Sequence, residues 1–118
     1  MAIEEKRKHF RIDSMHLLNY LYFGQDDEEA TQGMGRTLNV SESGILLETH
    51  TAIETNTVVS LTIGFEEDVV DIKGRVVYKK KNPEGLYESG IEFYDVDENA
   101  QKILRQYITL FNSKTEES

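Results

Sequence analysis

The sequence predicts a mainly β domain, an antiparallel barrel or sandwich, that ends in one α-helix. The chain has 118 residues, which is the size of one ordinary domain. Six short apolar runs rich in Val, Ile, Leu, Tyr and Phe alternate with polar or glycine-containing stretches, a pattern typical of strands with tight connections. After residue 95 the hydrophobic period changes from about two to about 3.6, which indicates a helix.

The first four predicted strands lie at about residues 16–23, 31–38, 45–48 and 58–65. Gly33 and Gly35 interrupt the second run, and we expect a bulge or a sharp bend there. In the fourth run Val59, Leu61 and Ile63 share one face, which alternation assigns to the core.

The last two predicted strands are a long run at about residues 70–78 and a run at about 87–93. Residues 79–85 are predicted as a loop, because Pro83 lacks an amide donor and Gly85 permits a positive φ. The face that we expect to point inward carries Val70, Ile72, Gly74, Val76 and Tyr78 in the fifth strand and Tyr87, Ser89, Ile91 and Phe93 in the sixth.

A helix is predicted from Glu98 to Phe111, because apolar residues recur there at helical spacing. They are Ala100, Ile103, Leu104, Tyr107, Ile108 and Phe111. Asp95 is the expected N-cap, with Glu98 three residues later completing a capping box. The apolar stripe would cover the sheet or an open end of a barrel, and the polar tail 113–118 is predicted to fray.

Charge and composition exclude several classes of function. Thirteen basic and 22 acidic residues give a net charge of −9, which argues against extended contact with a nucleic acid polymer or an anionic membrane. The absence of cysteine excludes disulfides and thiolate chemistry. No apolar run approaches the roughly 20 residues of a membrane span, and the N-terminus has no apolar signal region. We therefore expect a cytoplasmic protein without membrane insertion.

No constellation of residues predicts catalysis. His9, His16 and His50 lack metal-ligand spacing, and neither a nucleophile elbow nor a phosphate loop is present. The acidic clusters at 26–29 and 66–68 are interpreted as solvated loops. We predict a protein that is not an enzyme, with no catalytic residue, metal or cofactor.

Positive charge is concentrated near the N-terminus. Lys6, Arg7, Lys8 and Arg11 place four of the thirteen cations within six positions. An arginine fork donates two parallel hydrogen bonds to a phosphate, binds the O6 and N7 edge of guanine, or stacks on a base. The cluster therefore indicates a small anion site, with a merely solvated basic terminus as the alternative.

A second feature is the segment 39–44, Asn-Val-Ser-Glu-Ser-Gly, between the second and third strands. Asn and Ser are ordinary turn residues, and we expect Gly44 to supply a positive φ. Asn39 and Ser41 would project from this tight loop, with donors and acceptors suited to a base edge or a phosphate.

Together the two features resemble the PilZ domain family. Arg7 and Arg11 match its R-x-x-x-R motif, and residues 39–44 match its [D/N]-x-S-x-x-G motif. The runs at 45–48, 58–63, 74–77 and 89–93 and the closing helix resemble the family's elements in order, so that the resemblance covers about residues 6–112.

The resemblance implies a six-stranded antiparallel β-barrel that binds the bacterial second messenger cyclic di-GMP. Arg7 and Arg11 would clasp phosphate and stack on or bond to guanine, while Asn39 and Ser41 would contact guanine or phosphate. Gly44 would let the backbone approach closely. Further candidates for ligand binding are Lys6, which stands where many relatives have an arginine, and Lys8. Asn39 itself replaces the commoner aspartate.

We accordingly divide the chain into a leader (residues 1–11), a barrel with its helix (12–112) and a tail (113–118). The predicted function is a cyclic di-GMP receptor or adaptor whose leader changes conformation on binding and relays the signal to an unidentified downstream effector protein. The alternative is a protein-interaction module of the same barrel fold that needs no ligand. A further alternative is a domain that binds single-stranded nucleic acid. Only one feature, Tyr78 beside Lys79–Lys81, supports this function, and the net negative charge argues against it.

Overall fold

A computed structural model describes residues 16–24 and 29–117. The elements are β1 (Leu17–Phe23), β2 (Ala30–Val40), β3 (Gly44–Thr49), β4 (Val58–Phe65), β5 (Asp68–Lys81), β6 (Tyr87–Phe93) and α1 (Glu98–Glu117). The predicted mainly β fold class is thereby confirmed. The leader with its four basic residues lies outside the described residues, so the division into leader, barrel and tail stays a prediction.

The six strands form a closed antiparallel barrel, which decides between the barrel and the sandwich. Their order around the barrel is β1-β2-β3-β6-β5-β4, and β1 pairs with β4 to close it. Four neighbouring strands, β2, β3, β6 and β5, therefore form one continuous wall, although β3 and β6 are far apart in sequence.

The core lies inside the barrel and beneath the helix. Val59, Leu61 and Ile63 are fully buried, which confirms their predicted common face. In β6 the predicted inward residues Ser89, Ile91 and Phe93 are buried, and Tyr87 is half-buried. The helix contributes its predicted stripe through Ala100, Leu104, Tyr107 and Phe111, which belong to the same hydrophobic cluster as the strands. In the described part of the chain, no helix combines the length and the apolar character needed to cross a membrane.

The expected interruption of β2 lies at a different place. Gly33 and Gly35 pair in regular register with β1, and the bulge is at Leu38, between Thr37 and Asn39. A side chain at either glycine would require the buried side chain of Tyr20 or of Leu47 to move. A Cβ at Gly33 would lie 2.5 Å from the hydroxyl oxygen of Tyr20, and one at Gly35 would lie 2.8 Å from Cγ of Leu47.

Strand β5 is longer than predicted and changes face near its end. Lys79–Lys81, predicted as loop, pair with β6, and a bulge at Val77 breaks the alternation. Tyr78, predicted to face inward, is consequently 45% exposed. The remaining hairpin loop is organised by Asn82, whose Oδ1 accepts hydrogen bonds from the amides of Glu84 and Leu86, each at 3.0 Å. Gly85 has the predicted positive φ, 86°.

The N-cap of the helix is Asp97 and not Asp95. Asp97 Oδ1 accepts a hydrogen bond of 2.8 Å from the amide of Ala100, the third residue of α1. Asp95 instead takes a left-handed conformation, φ 55°, that turns the chain before the helix. The helical backbone extends past the predicted end at Phe111 to Glu117, and so includes most of the segment that we expected to fray.

Candidate functional site

An open groove of about 320 Å³ runs across the outer surface of the wall formed by β2, β3, β6 and β5. Its lining residues are Asn39, Val40, Ser41, Ser43, Gly44, Ile45, Leu46, Val77, Gly90, Ile91 and Glu92. The structure thus brings the three predicted residues Asn39, Ser41 and Gly44 together at one site. Arg7, Arg11, Lys6 and Lys8, predicted for the same site, lie outside the described residues.

The bulge at Leu38 determines which way Asn39 faces. Thr37 and Val40 are both buried, whereas Asn39 between them is exposed. Strict alternation from Thr37 would turn Asn39 inward, because side chains two residues apart lie on the same face of a strand. The extra residue shifts that phase and places the Asn39 amide on the outer surface.

The Asn39 side chain is oriented by its own backbone. Its Oδ1 accepts a hydrogen bond of 2.9 Å from the amide of Val40, a contact that only the oxygen of the side-chain amide can make. One of the two lone pairs of Oδ1 is therefore engaged within the protein. The same contact fixes which end of the amide is the amino group, which can serve a ligand as a hydrogen-bond donor.

The loop after Asn39 is held by short-range hydrogen bonds. The Ser41 amide donates to the carbonyl of Gly44 at 2.8 Å, and the Ser43 amide donates to Oγ of Ser41 at 3.3 Å. The two serine hydroxyls are 3.1 Å apart. The carbonyl of Ser43 accepts a hydrogen bond of 2.9 Å from the amide of Phe93, which fixes the loop to the end of β6.

Gly44 is required for the close approach of two strands and not for a positive φ. Among the described glycines only Gly85 has a positive φ, so that expectation for Gly44 is wrong. A Cβ at Gly44 would instead lie 2.5 Å from the carbonyl oxygen of Ile91, a backbone atom of the neighbouring strand. Any side chain here would push β3 away from β6, directly beneath the groove.

Among the lining residues that the sequence did not predict for the site, four lie on β5 and β6: Val77, Gly90, Ile91 and Glu92. They enter the site because β5 and β6 continue the wall beyond β3, a pairing that local patterns do not reveal. The adjacent apolar residues Val76 and Val77 were the one available signal, since they break the period of two at the bulge. Val77 is 55% exposed as a result.

The described lining of the groove carries one charged side chain, the carboxylate of Glu92. Its register neighbour Arg75 lies with its guanidinium carbon 5.6 Å from the centre of the Tyr94 ring, a cation–π arrangement. Within the loop, Glu42 pairs with Arg105 of α1 at 3.4 Å on the exposed surface. Within the described ranges, no group of three or more His, Asp or Glu side chains is arranged to hold a metal ion.

Comparison with known proteins identifies the family. The model of the PilZ domain matches residues 5–110, and the chain belongs to this family. Solved structures with a similar fold include the PilZ domain of YcgR from Escherichia coli with c-di-GMP, at 11% identity and a TM-score of 0.61, covering 86% of each chain. Another is MrkH of K. pneumonia in its apo state, at 14% identity and a TM-score of 0.60. That match covers 86% of this chain and 49% of MrkH. A search of curated proteins found no match.

Proposed function

We propose that this protein is a receptor domain for cyclic di-GMP. The observation that carries the proposal is the motif loop 39–44, fixed by its own hydrogen bonds at the end of an open groove. Membership of the PilZ family supports the same ligand, since the YcgR domain was solved with it.

The chemistry of the site suits this ligand. Cyclic di-GMP has two phosphates and two guanines, and it therefore needs cationic donors as well as polar groups for the base edges. Asn39 and Ser41 offer an amide and a hydroxyl at the groove. Arg7 and Arg11 would supply charge-assisted, bidentate hydrogen bonds to phosphate, with Lys6 and Lys8 adding positive charge.

We further propose that binding changes the conformation of the leader, which relays the signal to an effector protein. The motif residues are split between the leader and the barrel, so one ligand molecule would have to bridge both parts. A segment that is ordered by a ligand creates new surface, and this is a common basis for switching.

Isothermal titration calorimetry with cyclic di-GMP tests the proposal, with GTP and cyclic di-AMP as ligand controls. We expect saturable binding of cyclic di-GMP alone. Arg7→Ala and Arg11→Ala should each weaken it at least about tenfold, the scale of one hydrogen bond to a charged group. Lys102→Ala, which removes an exposed positive charge from α1, should leave the affinity unchanged.

Unchanged affinity in both arginine variants would remove the leader from the site. No heat and no thermal shift with cyclic di-GMP would overturn the receptor proposal altogether. The interaction module that works without a ligand would then be the better interpretation.

A further inference from the structure

We infer that Glu92 determines specificity for guanine, by accepting hydrogen bonds from the N1–H and 2-amino edge of a base in the groove. The inference rests on the proposed function and deepens it. It assigns a role to a residue on β6 that belongs to neither sequence motif.

Glu92 lies on the same surface as the motif loop. In the strand register it is paired with Gly44 on β3, and both residues line the groove together with Asn39. Gly44 has no side chain to separate Glu92 from the loop. The neighbouring outward position on β6 is Gly90, and the side chain of its register neighbour Tyr78 lies beside it, since a Cβ at Gly90 would be 3.1 Å from Cβ of Tyr78.

The Glu92 carboxylate is available as an acceptor. The side chain is exposed and makes no hydrogen bond or ion pair with the described residues. Two other acidic side chains of the barrel are engaged: Glu48 accepts from Arg36 at 2.9 Å and from Asn82 at 2.9 Å, and Glu54 pairs with Lys79 at 3.0 Å. Arg75, the register neighbour of Glu92, lies over the Tyr94 ring instead.

The orientation of Asn39 favours such an acceptor. Its Oδ1 already accepts one hydrogen bond, from the Val40 amide, whereas its amino group has no partner among the described residues and is a donor available to the groove. A donor suits the O6 and N7 acceptors of guanine and leaves the donors at N1 and the 2-amino group without a partner. A carboxylate has two oxygens that match these two donors, whereas adenine presents an acceptor at N1 and no 2-amino group.

The direction in which the affinity changes when Glu92 loses its charge distinguishes a guanine-binding residue from a solvated surface residue. The ligand carries two negative phosphates, so removing a negative charge from the groove should tighten binding if Glu92 is only a solvated surface residue. If Glu92 binds guanine, removing the charge weakens binding instead.

The test is calorimetry of the full chain with cyclic di-GMP and with its hypoxanthine analogue, which keeps N1–H and lacks the 2-amino group. The wild type should prefer cyclic di-GMP about tenfold, the scale of a hydrogen bond to a charged acceptor. Glu92→Gln should weaken cyclic di-GMP binding about tenfold and reduce the preference to about twofold or less, because one acceptor is replaced by a donor.

Glu67→Gln, which makes the same charge change on the turn between β4 and β5, is the matched control and should alter neither affinity. Thermal unfolding of Glu92→Gln should match the wild type, since the side chain is exposed. Equal or tighter binding of both ligands by Glu92→Gln, with the preference retained, would overturn this inference and leave the receptor function intact. Failure of the wild type to bind cyclic di-GMP would overturn both.

Discussion

The hydroxyls of Thr37 and Tyr107 join the barrel to the helix. They are 2.8 Å apart and both residues are buried, although 70 positions separate them in sequence. Thr37 also immediately precedes the bulge that turns Asn39 outward. Burial raises the pKa of Tyr107 above its ordinary value of 10.0, and the hydrogen bond to Thr37 opposes that shift without cancelling it.

This pair predicts a stability difference that depends on pH. Tyr107→Phe should lower the free energy of unfolding at neutral pH by about 1 kcal/mol, because the buried Thr37 hydroxyl loses its partner. In the wild type the folded-state pKa is raised, so the unfolded chain ionises first as pH rises above about 10 and wild-type stability falls. The difference between wild type and variant should therefore narrow above pH 10.

Urea unfolding at about pH 7 and about pH 11 measures this difference at either end of the titration. Tyr78→Phe removes a hydroxyl from an exposed ring and should change stability little at neutral pH. If the difference in free energy of unfolding between wild type and Tyr107→Phe widened at high pH, the pKa of Tyr107 would not be raised in the folded protein.

At this scale the sequence predicted which motif residues lie together better than it predicted why Gly44 is needed, and their part in ligand binding stays a prediction. Residues 39–44 were identified by their motif, and Asn39, Ser41 and Gly44 do line one groove. The strand that approaches Gly44 could not be predicted, because the atom that a Cβ would meet belongs to Ile91 on β6. The local sequence contains no information on which strand becomes the neighbour of β3.

At the scale of elements, the sequence predicted the strand boundaries that depend on local turns. It did not predict the boundaries that depend on pairing with another strand. The bounds of β4 agree with the prediction because polar residues lie at both ends. Strand β5 continues through Lys79–Lys81 because β6 provides partners for these backbone groups. Both bulges, at Leu38 and Val77, likewise arise from pairing between strands, and they account for the outward faces of Asn39 and Tyr78.

The start of the helix provides a test at the same scale. Asp97→Ala should destabilise the protein by about 1 kcal/mol, because the Ala100 amide at the helix N-terminus loses its acceptor. Asp95→Gly is the matched variant at the residue first expected to be the cap. It should cause no loss of stability, since glycine adopts the φ of 55° without steric cost.

The free energy of unfolding in urea decides between the two capping residues. If Asp95→Gly were the more destabilising change, the cap would be Asp95 as the sequence first indicated. If Asp97→Ala is the more costly, the helix begins at Glu98 and is fixed by the residue directly before it.

For the whole molecule, the distribution of charge is the feature that the fold alone does not explain. The chain carries a net charge of −9, yet four of its thirteen cations lie within residues 6–11. In the described part of the chain, the groove is lined by one charged side chain, the carboxylate of Glu92, and by no Lys or Arg. Under the proposed function, a ligand with two phosphates would draw its countercharge from the leader, and the barrel would supply the polar contacts to the bases.

If the leader binds the phosphates and the barrel binds the bases, amide hydrogen exchange should respond to cyclic di-GMP in both segments. Amides of residues 1–11 and of the loop 39–44 should exchange more slowly with ligand, because one bound molecule would hold both segments. Amides of the distant hairpin turn 65–68 should be unaffected and serve as the internal control. The experiment is exchange followed by mass spectrometry at saturating ligand. Equal protection of residues 1–11 with and without ligand, under conditions where calorimetry shows binding, would rule out a leader switch and place the response in the barrel itself.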